Sequence, residues 1–318
     1  MTAGSFSVDP WDPGYGLAFS SDLDGGALEE SSAQLNLDLE TAAASWVPIA
    51  ADPGAVLPDV VLFIDGVRRV DARIWIYGTT PQPMPGIAAS FATGLVCCDG
   101  EARIADVVVD RGLFTASAEA TDIHTPYARY PARMATGSSL DELSLALQQR
   151  LTEAEVELAI EFRARHGVVD DLLVVDGPLR GRTHLARTVG YIKTHHTAYL
   201  PAAQAAVVAA LEPGQRTPVF TMGTSWIRHS WYLRLPGSSG APWSGVVRLE
   251  CSADLDRAAA VNLAAVTTHL LPPLASSPHK DPRAPQNLVP IGGLERELRH
   301  RLGDPQLLYR GLRAASTP

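Results

Sequence analysis

Two short runs of large apolar residues, each followed by Asp-Gly, dominate the hydrophobic pattern of the chain. The first is Val61–Ile64 before Asp65-Gly66, and the second is Leu172–Val175 before Asp176-Gly177. Runs of this length and composition predict buried β-strands. Asp-Gly is typical of a turn, because Asp bonds its own backbone and Gly accepts positive φ. The pattern therefore predicts two core strands that each deliver a carboxylate at their end, the first turning into a further strand at Arg73–Tyr77.

A helical pattern precedes the second of these strands. Ser139 is a predicted N-cap, with Glu142 at the capping-box offset, and Gly167 is a predicted C-terminal stop. Between them, to about Arg165, apolar residues recur at helical spacing. The predicted buried stripe consists of Leu147, Leu151, Ala154, Leu158 and Phe162.

The remaining pattern predicts an α/β fold in which strands and helices continue to the C-terminus. We predict a lead-in at 1–45, acidic and flexible, and one domain at 46–318. No Gly-rich dinucleotide or phosphate loop is present, which disfavours a dehydrogenase or an NTPase. The further predicted strands are Ile87–Val96, Arg103–Val109, Thr217–Thr221, Ser230–Leu235 and Gly245–Cys251, and the further helices are Asp256–Leu271 and Leu294–Leu302.

Composition and charge add limits on location and partners. No apolar run is long enough to span a bilayer, the N-terminus is unlike a signal peptide, and the three cysteines suggest neither a disulfide frame nor a zinc site. We therefore expect a cytoplasmic protein without a membrane partner. The net charge is −9, yet residues 178–234 carry seven Lys or Arg against one acid. A basic segment of this kind is compatible with nucleic acid and equally with ordinary surface solvation.

The two strand-end carboxylates are the first candidate site. Carboxylates close together repel unless a cation lies between them, and hard divalent cations prefer oxygen ligands. A helix that returns along the second strand would bring an acid to the same end, and the rise per residue points to Glu155 or Glu157. Spacing alone does not choose between them. Asp65, Asp176 and one of these glutamates are therefore predicted to hold a metal ion for phosphodiester chemistry.

Basic and aromatic residues supply candidate contacts to nucleic acid. Lysine and arginine near a carboxylate–metal cluster neutralise phosphate, and aromatic rings stack on bases. An amphipathic strand with its aromatics in the core explains the segment around Trp231 equally well. The candidate nucleic-acid-binding residues are Arg68, Arg180, Arg182, Arg187, Lys193, Arg228, Trp231 and Arg234.

With these features, the chain resembles the NurA family of DNA-end-processing nucleases over residues 58–313. Three segments carry most of the resemblance: Phe63–Gly66, Val174–Leu179 and Val189–Lys193. Trp231–Arg234 followed by Val247–Glu250 completes it. The resemblance implies a ribonuclease-H-like mixed sheet flanked by helices, with additional C-terminal strands and helices.

The resemblance also implies an activity, a cofactor and partners. It implies an enzyme, a Mn²⁺- or Mg²⁺-dependent nuclease that hydrolyses phosphodiester bonds at single- or double-stranded DNA ends by a two-metal mechanism. It further implies a homodimer that works in DNA repair with a hexameric HerA-type translocase ATPase. The metal acids of the family would fall on Asp65, a glutamate of the helix and Asp176.

One segment of the tail differs from the family pattern, which commonly has Tyr-Pro followed by a histidine. The nearest stretch, Ala284–Glu295, has neither. His279 lies just before it and is the predicted catalytic proton carrier or outer ligand. The alternative function is a non-catalytic adaptor that docks on an ATPase or on nucleic acid, and RNA is an alternative substrate.

Overall fold

The structure is a computed structural model that describes residues 33–79, 81–167, 170–195, 197–237 and 243–316. The chain divides into two compact units. The first comprises Met1–Phe63 and Asp170–Gly292, and the second comprises Ile64–Val169 and Gly293–Pro318. The predicted lead-in, 1–45, lies outside the described residues up to residue 32.

The described residues form a mixed α/β structure, as the sequence predicts. In chain order, the strands are β1 Gln34–Asn36, β2 Ile49–Ala50, β3 Val60–Ile76, β4 Met84–Cys98, β5 Ala102–Thr115, β6 Ile123–His124, β7 Arg129–Tyr130, β8 Ala132–Met134, β9 Asp171–Asp176, β10 Thr188–Ile192, β11 Gln215–Arg216, β12 Phe220–Gly223, β13 Ile227–Arg234 and β14 Val246–Ser252. The helices are α1 Leu140–His166, α2 Ala202–Ala209, α3 Arg257–Leu270, α4 Val289–Arg301 and α5 Pro305–Ala315.

The first unit is built on a mixed sheet in the order β1-β12-β13-β14-β10-β9. Strands β9 and β10 run parallel, and the other neighbours on this path are antiparallel. One face of the sheet packs on an apolar cluster that includes Trp46, Phe220 and Tyr232. The parallel pair matters for the site, because it places Asp176 of β9 opposite Tyr191 of β10.

The second unit is built on strands in the order β3-β4-β5-β8, of which β8 is short, with β4 and β5 antiparallel and β8 parallel to β5. Helix α1 packs against β4 and β5. Its contacts form an apolar cluster that includes Phe91, Phe114 and Leu147. None of the helices in the described ranges has both the length and the apolar character that crossing a membrane requires.

Helix α1 confirms the sequence prediction in detail. Ser139 is the N-cap, the Ser139 side chain accepts from the Glu142 backbone N–H, and the reciprocal bond of the capping box is present. Gly167 ends the helix in the left-handed conformation, at φ 58°. The five residues of the predicted stripe are all buried. A local cap and an apolar period were sufficient here because both act within the helix.

The predicted turn at Asp65-Gly66 is wrong. Strand β3 is continuous from Val60 to Ile76, so the two strands predicted on either side of the turn are one. Gly66 serves close packing instead, since a Cβ atom there would lie 2.6 Å from Glu155 Oε1 and 2.6 Å from Leu151 Cδ1. A glycine that admits a neighbouring helix and a glycine that turns the chain have the same appearance in sequence.

Other elements differ from prediction in extent or were not predicted. Strands β4 and β5 are longer than predicted, and α4 begins at Val289, before the predicted Leu294. Helices α2 and α5 were not predicted. Part of the predicted lead-in is ordered structure, because β1 pairs with β12 and Glu40 forms an ion pair with Arg216 at 2.7 Å.

Candidate metal centre

Asp65 lies in β3 and its side chain is held by the strand itself. The residue is 8% exposed, and its Oδ1 accepts from the backbone N–H of Gly66 at 2.7 Å. Its carbonyl oxygen accepts from the Thr93 hydroxyl of β4 at 3.3 Å. The first bond orients the carboxylate, and the second ties the backbone of Asp65 to β4.

Asp176 is the last residue of β9. Gly177 follows it with φ +100°, and the Gly177 N–H donates to the Tyr191 carbonyl at 2.9 Å. Strand β9 therefore ends at Asp176 and Gly177 has the positive φ that Asp-Gly predicts, whereas β3 continues through Asp65-Gly66. Asp176 Oδ2 accepts from Lys193 Nζ at 2.5 Å.

Glu295 is a member of the site that sequence analysis missed. It lies in α4, and only 8% of the residue is exposed. Its helix buries Ile291, Leu294 and Leu298, so Glu295 is an acid within an apolar stripe. An acid at helical spacing among leucines is the signal that could have identified it, because a buried charge needs a partner or a metal ion.

Asp65 and Glu295 form an acidic group within the second unit that can hold a cation. Each offers one carboxylate oxygen, and the two oxygens lie within 4.8 Å of each other. Two carboxylates at this separation repel each other unless a cation or a proton intervenes. Both donors are hard oxygens, which suits Mg²⁺ or Mn²⁺.

A cleft of about 270 Å³ opens beside Asp176, lined also by Tyr191, Lys193, Thr194 and Arg283. Tyr191 is fully buried, and its hydroxyl donates to the Gln286 carbonyl at 2.6 Å. Burial, and then the charge of Asp176, raises the pKa of Tyr191 well above its ordinary value. The phenol is therefore a neutral hydrogen-bond donor, and the basic groups of the cleft are those of Lys193 and Arg283.

The two candidate glutamates of α1 occupy different faces. Glu155 is 4% exposed, and its Oε1 lies against the backbone of Gly66, beside Asp65. Glu157 has an exposed side chain that accepts from Arg150 at 3.1 Å. Neither belongs to the group of mutually close ligand atoms found among the described residues. Of the two, Glu155 is the one that the fold brings next to Asp65.

The predicted nucleic-acid contacts separate by burial. Arg68, Arg180 and Arg187 are exposed, and Lys193 is half-buried. Arg187 also pairs with the buried Asp171. The four buried residues are Arg182, Arg228, Trp231 and Arg234.

The four buried residues are corrections to the predicted nucleic-acid surface, because they are occupied within the protein. Trp231 is fully buried, so its ring is not available to stack on a base. Arg234 donates to the Ser244 carbonyl at 2.7 Å, and Arg182 donates to the Pro178 carbonyl at 2.8 Å. Arg228 pairs with the buried Glu250 at 3.1 Å. The prediction failed for the residues of β13 because this strand is buried on both faces along nearly its whole length. The alternation of aromatic and basic residues along β13 therefore does not mark an exposed face.

His279, the predicted proton carrier, lies exposed in the loop before α4. Its Nε2 is 3.4 Å from the Ser277 hydroxyl. It does not belong to the carboxylate group found in the described part of the chain. Asp281, two residues later, is buried and accepts a hydrogen bond from the side chain of Asn287.

Comparisons with known proteins give a likeness among solved structures. No family model matches the chain, and no curated protein matches it. Among solved structures, it is similar to the crystal structure of the NurA nuclease from Sulfolobus solfataricus, with 11% sequence identity and a TM-score of 0.46. The match covers 85% of this chain and 88% of that chain.

Proposed function

We propose that this protein is a metal-dependent nuclease that hydrolyses phosphodiester bonds at DNA ends. The observation that carries the proposal is the pair of carboxylate oxygens, from Asp65 and Glu295, within 4.8 Å of each other. We propose Asp176, the other strand-end acid of the sequence pattern, as a third ligand. Lys193 contacts Asp176 and supplies a positive charge beside it. Carboxylates that gather a divalent cation, with a basic group beside them, are the elements of phosphodiester hydrolysis.

In this proposal each residue has a defined task. Asp65, Asp176 and Glu295 hold Mn²⁺ or Mg²⁺, and Glu155, which lies against Gly66, is a further candidate ligand. When bound, the cation lowers the pKa of a water molecule and stabilises charge on the leaving oxygen. Lys193 neutralises a phosphate oxygen in the cleft beside Asp176.

The exposed arginines have a separate task, which is to hold the substrate strand by its phosphates. Arg180 and Arg187 lie in the loop that follows Asp176, and Arg68 lies three residues after Asp65 in β3. Contacts of this kind fix position and carry no sequence information. The proposed enzyme therefore binds DNA through its backbone, and its affinity falls as salt rises.

The finer parts of the proposal follow from the sequence resemblance to the NurA family. They are a ribonuclease-H-like fold, a homodimer, a role in DNA repair, and a hexameric HerA-type ATPase as partner. A cytoplasmic location is proposed from the composition.

Cleavage of end-labelled DNA tests the proposal. Single-stranded DNA, double-stranded DNA and RNA are incubated with Mn²⁺, Mg²⁺ or EDTA, using the wild type and Asp176→Asn. Asp170→Asn is the matched control, because Asp170 is an exposed carboxylate just before the other end of the same strand. We expect metal-dependent shortening of DNA that falls at least about 100-fold in Asp176→Asn and is unchanged in Asp170→Asn.

Two outcomes contradict the proposal. Full cleavage by a folded Asp176→Asn variant would remove Asp176 from the site. Absence of cleavage by the wild type under every condition, also with a HerA-type ATPase added, would favour the non-catalytic adaptor. Preferential cleavage of RNA would mean that RNA is the substrate in place of DNA.

A further inference from the structure

Lys193 is unusual in this chain because lysine itself is rare. Of the 26 Lys and Arg residues, only Lys193 and Lys280 are lysines. Lys280 is exposed, whereas the side chain of Lys193 is 12% exposed. Arginine presents a planar fork of donors, and lysine is a compact point charge. A half-buried position that keeps lysine in an arginine-rich chain therefore points to a geometric requirement.

The ammonium group of Lys193 is held from two sides. Its Nζ donates to Asp176 Oδ2 at 2.5 Å and to Asn287 Oδ1 at 3.0 Å. Asn287 is fully buried, and its Nδ2 donates to Asp281 Oδ2 at 2.7 Å. The four side chains form a line of hydrogen bonds in the order Asp176, Lys193, Asn287 and Asp281.

The line has a defined direction because Asp281 orients the amide of Asn287. An asparagine can present either its oxygen or its NH₂ group to a neighbour. An ionised carboxylate only accepts hydrogen bonds, so Asp281 draws the NH₂ group and leaves the amide oxygen for the ammonium group. The reversed amide would place N–H donors against the positive charge of Lys193.

The segment that carries Asn287 is itself tied to the strand before Lys193. The Asn287 N–H donates to the Arg283 carbonyl at 3.0 Å. Tyr191 of β10 donates to the Gln286 carbonyl at 2.6 Å. Asp281 accepts in addition from the Arg283 N–H at 2.8 Å. Buried polar networks in which members are satisfied by one another rigidify what they hold.

We propose that Asp281 and Asn287 are positioning residues for Lys193. They hold its ammonium group on Asp176 at the edge of the cleft and so set its reach toward a phosphate oxygen there. The effect on the rate of cleavage rests on the proposed nuclease function, whereas the hydrogen bonding that positions the Lys193 ammonium group does not. A positioning task explains why two buried polar side chains outside the acidic group, those of Asp281 and Asn287, form a hydrogen-bonded line to one lysine.

Because the sequence contains two lysines, the hydrogen bonding of the Lys193 ammonium group can be measured directly by lysine-specific labelling. In the full chain labelled with ¹⁵N-lysine, N–H signals of an ammonium group persist at low temperature and near-neutral pH where hydrogen bonds and burial slow its base-catalysed exchange with water, and the exposed Lys280 is the internal reference. We expect a signal from Lys193 in the wild type, its loss in Asn287→Leu, and its retention in Asp281→Asn, whose amide oxygen still accepts. Asn262→Leu is the matched control at an exposed site in α3.

The result that overturns the proposal is a Lys193 signal that is absent in the wild type or unchanged in Asn287→Leu. Where Asn287→Leu fails to fold, Asn287→Ser removes the amide without apolar bulk and is interpreted in the same way. This arm contains no metal and no substrate. It therefore tests the positioning independently of the proposed function.

A double-mutant cycle with Lys193→Met tests the consequence for cleavage. We expect Asn287→Leu to lower kcat about 10–100-fold, with little change in KM for DNA. We expect no further loss when the same change is made in Lys193→Met, because Asn287 then has no ammonium group to hold. Additive losses would mean that Asn287 is merely structural and would overturn the proposal. A wild type that cleaves nothing contradicts the proposed function, and the ammonium signal still decides the positioning.

Discussion

Gly66→Ala tests the packing that places Asp65. The added Cβ would lie 2.6 Å from Glu155 Oε1, 2.6 Å from Leu151 Cδ1 and 2.9 Å from Leu151 Cγ. Real Cβ atoms do not approach heavy atoms so closely, so the side chains of Leu151 and Glu155, both buried, or the backbone that carries them must shift. Overpacking of a well-packed site costs about 1–3 kcal/mol. For a chain of this size we expect the melting temperature to fall by about 2–6 °C.

Gly293→Ala is the matched control, because the same change there has the opposite expected sign. Gly293 lies inside α4, and an added Cβ would meet no atom within 4 Å. Replacing a helical glycine in open space stabilises by about 0.5–1 kcal/mol. Both variants are measured by thermal unfolding followed by circular dichroism. A Gly66→Ala variant as stable as the wild type would refute the close approach of α1 to β3.

A second change separates crowding from backbone strain. Leu151→Ala removes both leucine atoms that the methyl group introduced by Gly66→Ala would meet. We therefore expect the double variant to lose less stability than the sum of the two single losses, by about 1 kcal/mol. Strict additivity would mean that the requirement for glycine at position 66 does not arise from the helix.

Two further predictions concern residues outside the acidic group. Burial raises the pKa of Cys98 to about 11 and of Cys251 to about 12, and it also raises the pKa of Cys97. Because only the thiolate reacts, a thiol reagent at about pH 8 should react slowly with the folded chain. After unfolding, it should react promptly with three thiols. Three prompt equivalents in the folded state would contradict this burial. Trp231→Phe should cost about 1–3 kcal/mol of stability and leave DNA affinity within about twofold, whereas a large loss of DNA affinity in a stable Trp231→Phe variant would restore the ring to the nucleic-acid surface.

Local signals were sufficient for some elements of the fold. The start, end and buried face of α1 were predictable because the capping box, Gly167 and the helical period all act within the helix. The end of β9 at Asp176 and the positive φ of Gly177 were predictable from Asp-Gly for the same reason. At Asp65-Gly66 the same dipeptide was misleading, since the determinant there is the approach of Leu151 and Glu155 from a helix that is distant in sequence.

Parts of the candidate site depend on tertiary packing and could not be predicted from spacing. Strand and helix rise allowed both Glu155 and Glu157, and only the packing of α1 buries the first and leaves the second paired with Arg150. Glu295 was missed because an acid in a basic helix is ordinarily solvated, as Glu297 of the same helix illustrates. Trp231 remained a candidate for base stacking beside the alternative of a core ring, because alternating aromatic and basic residues fit one exposed face and cannot reveal that both faces of the strand are buried.

Calorimetric titration with Mn²⁺ tests the central claim most directly, because it measures the acidic group without DNA or turnover. The variants are Glu295→Gln and its matched control Glu297→Gln, which lies on the same helix and pairs with Arg301 at 2.7 Å. We predict millimolar or tighter binding by the wild type and by Glu297→Gln, and at least about tenfold weaker binding by Glu295→Gln. Absence of binding by the wild type, or equal binding by all three proteins, would contradict a metal centre formed by these carboxylates.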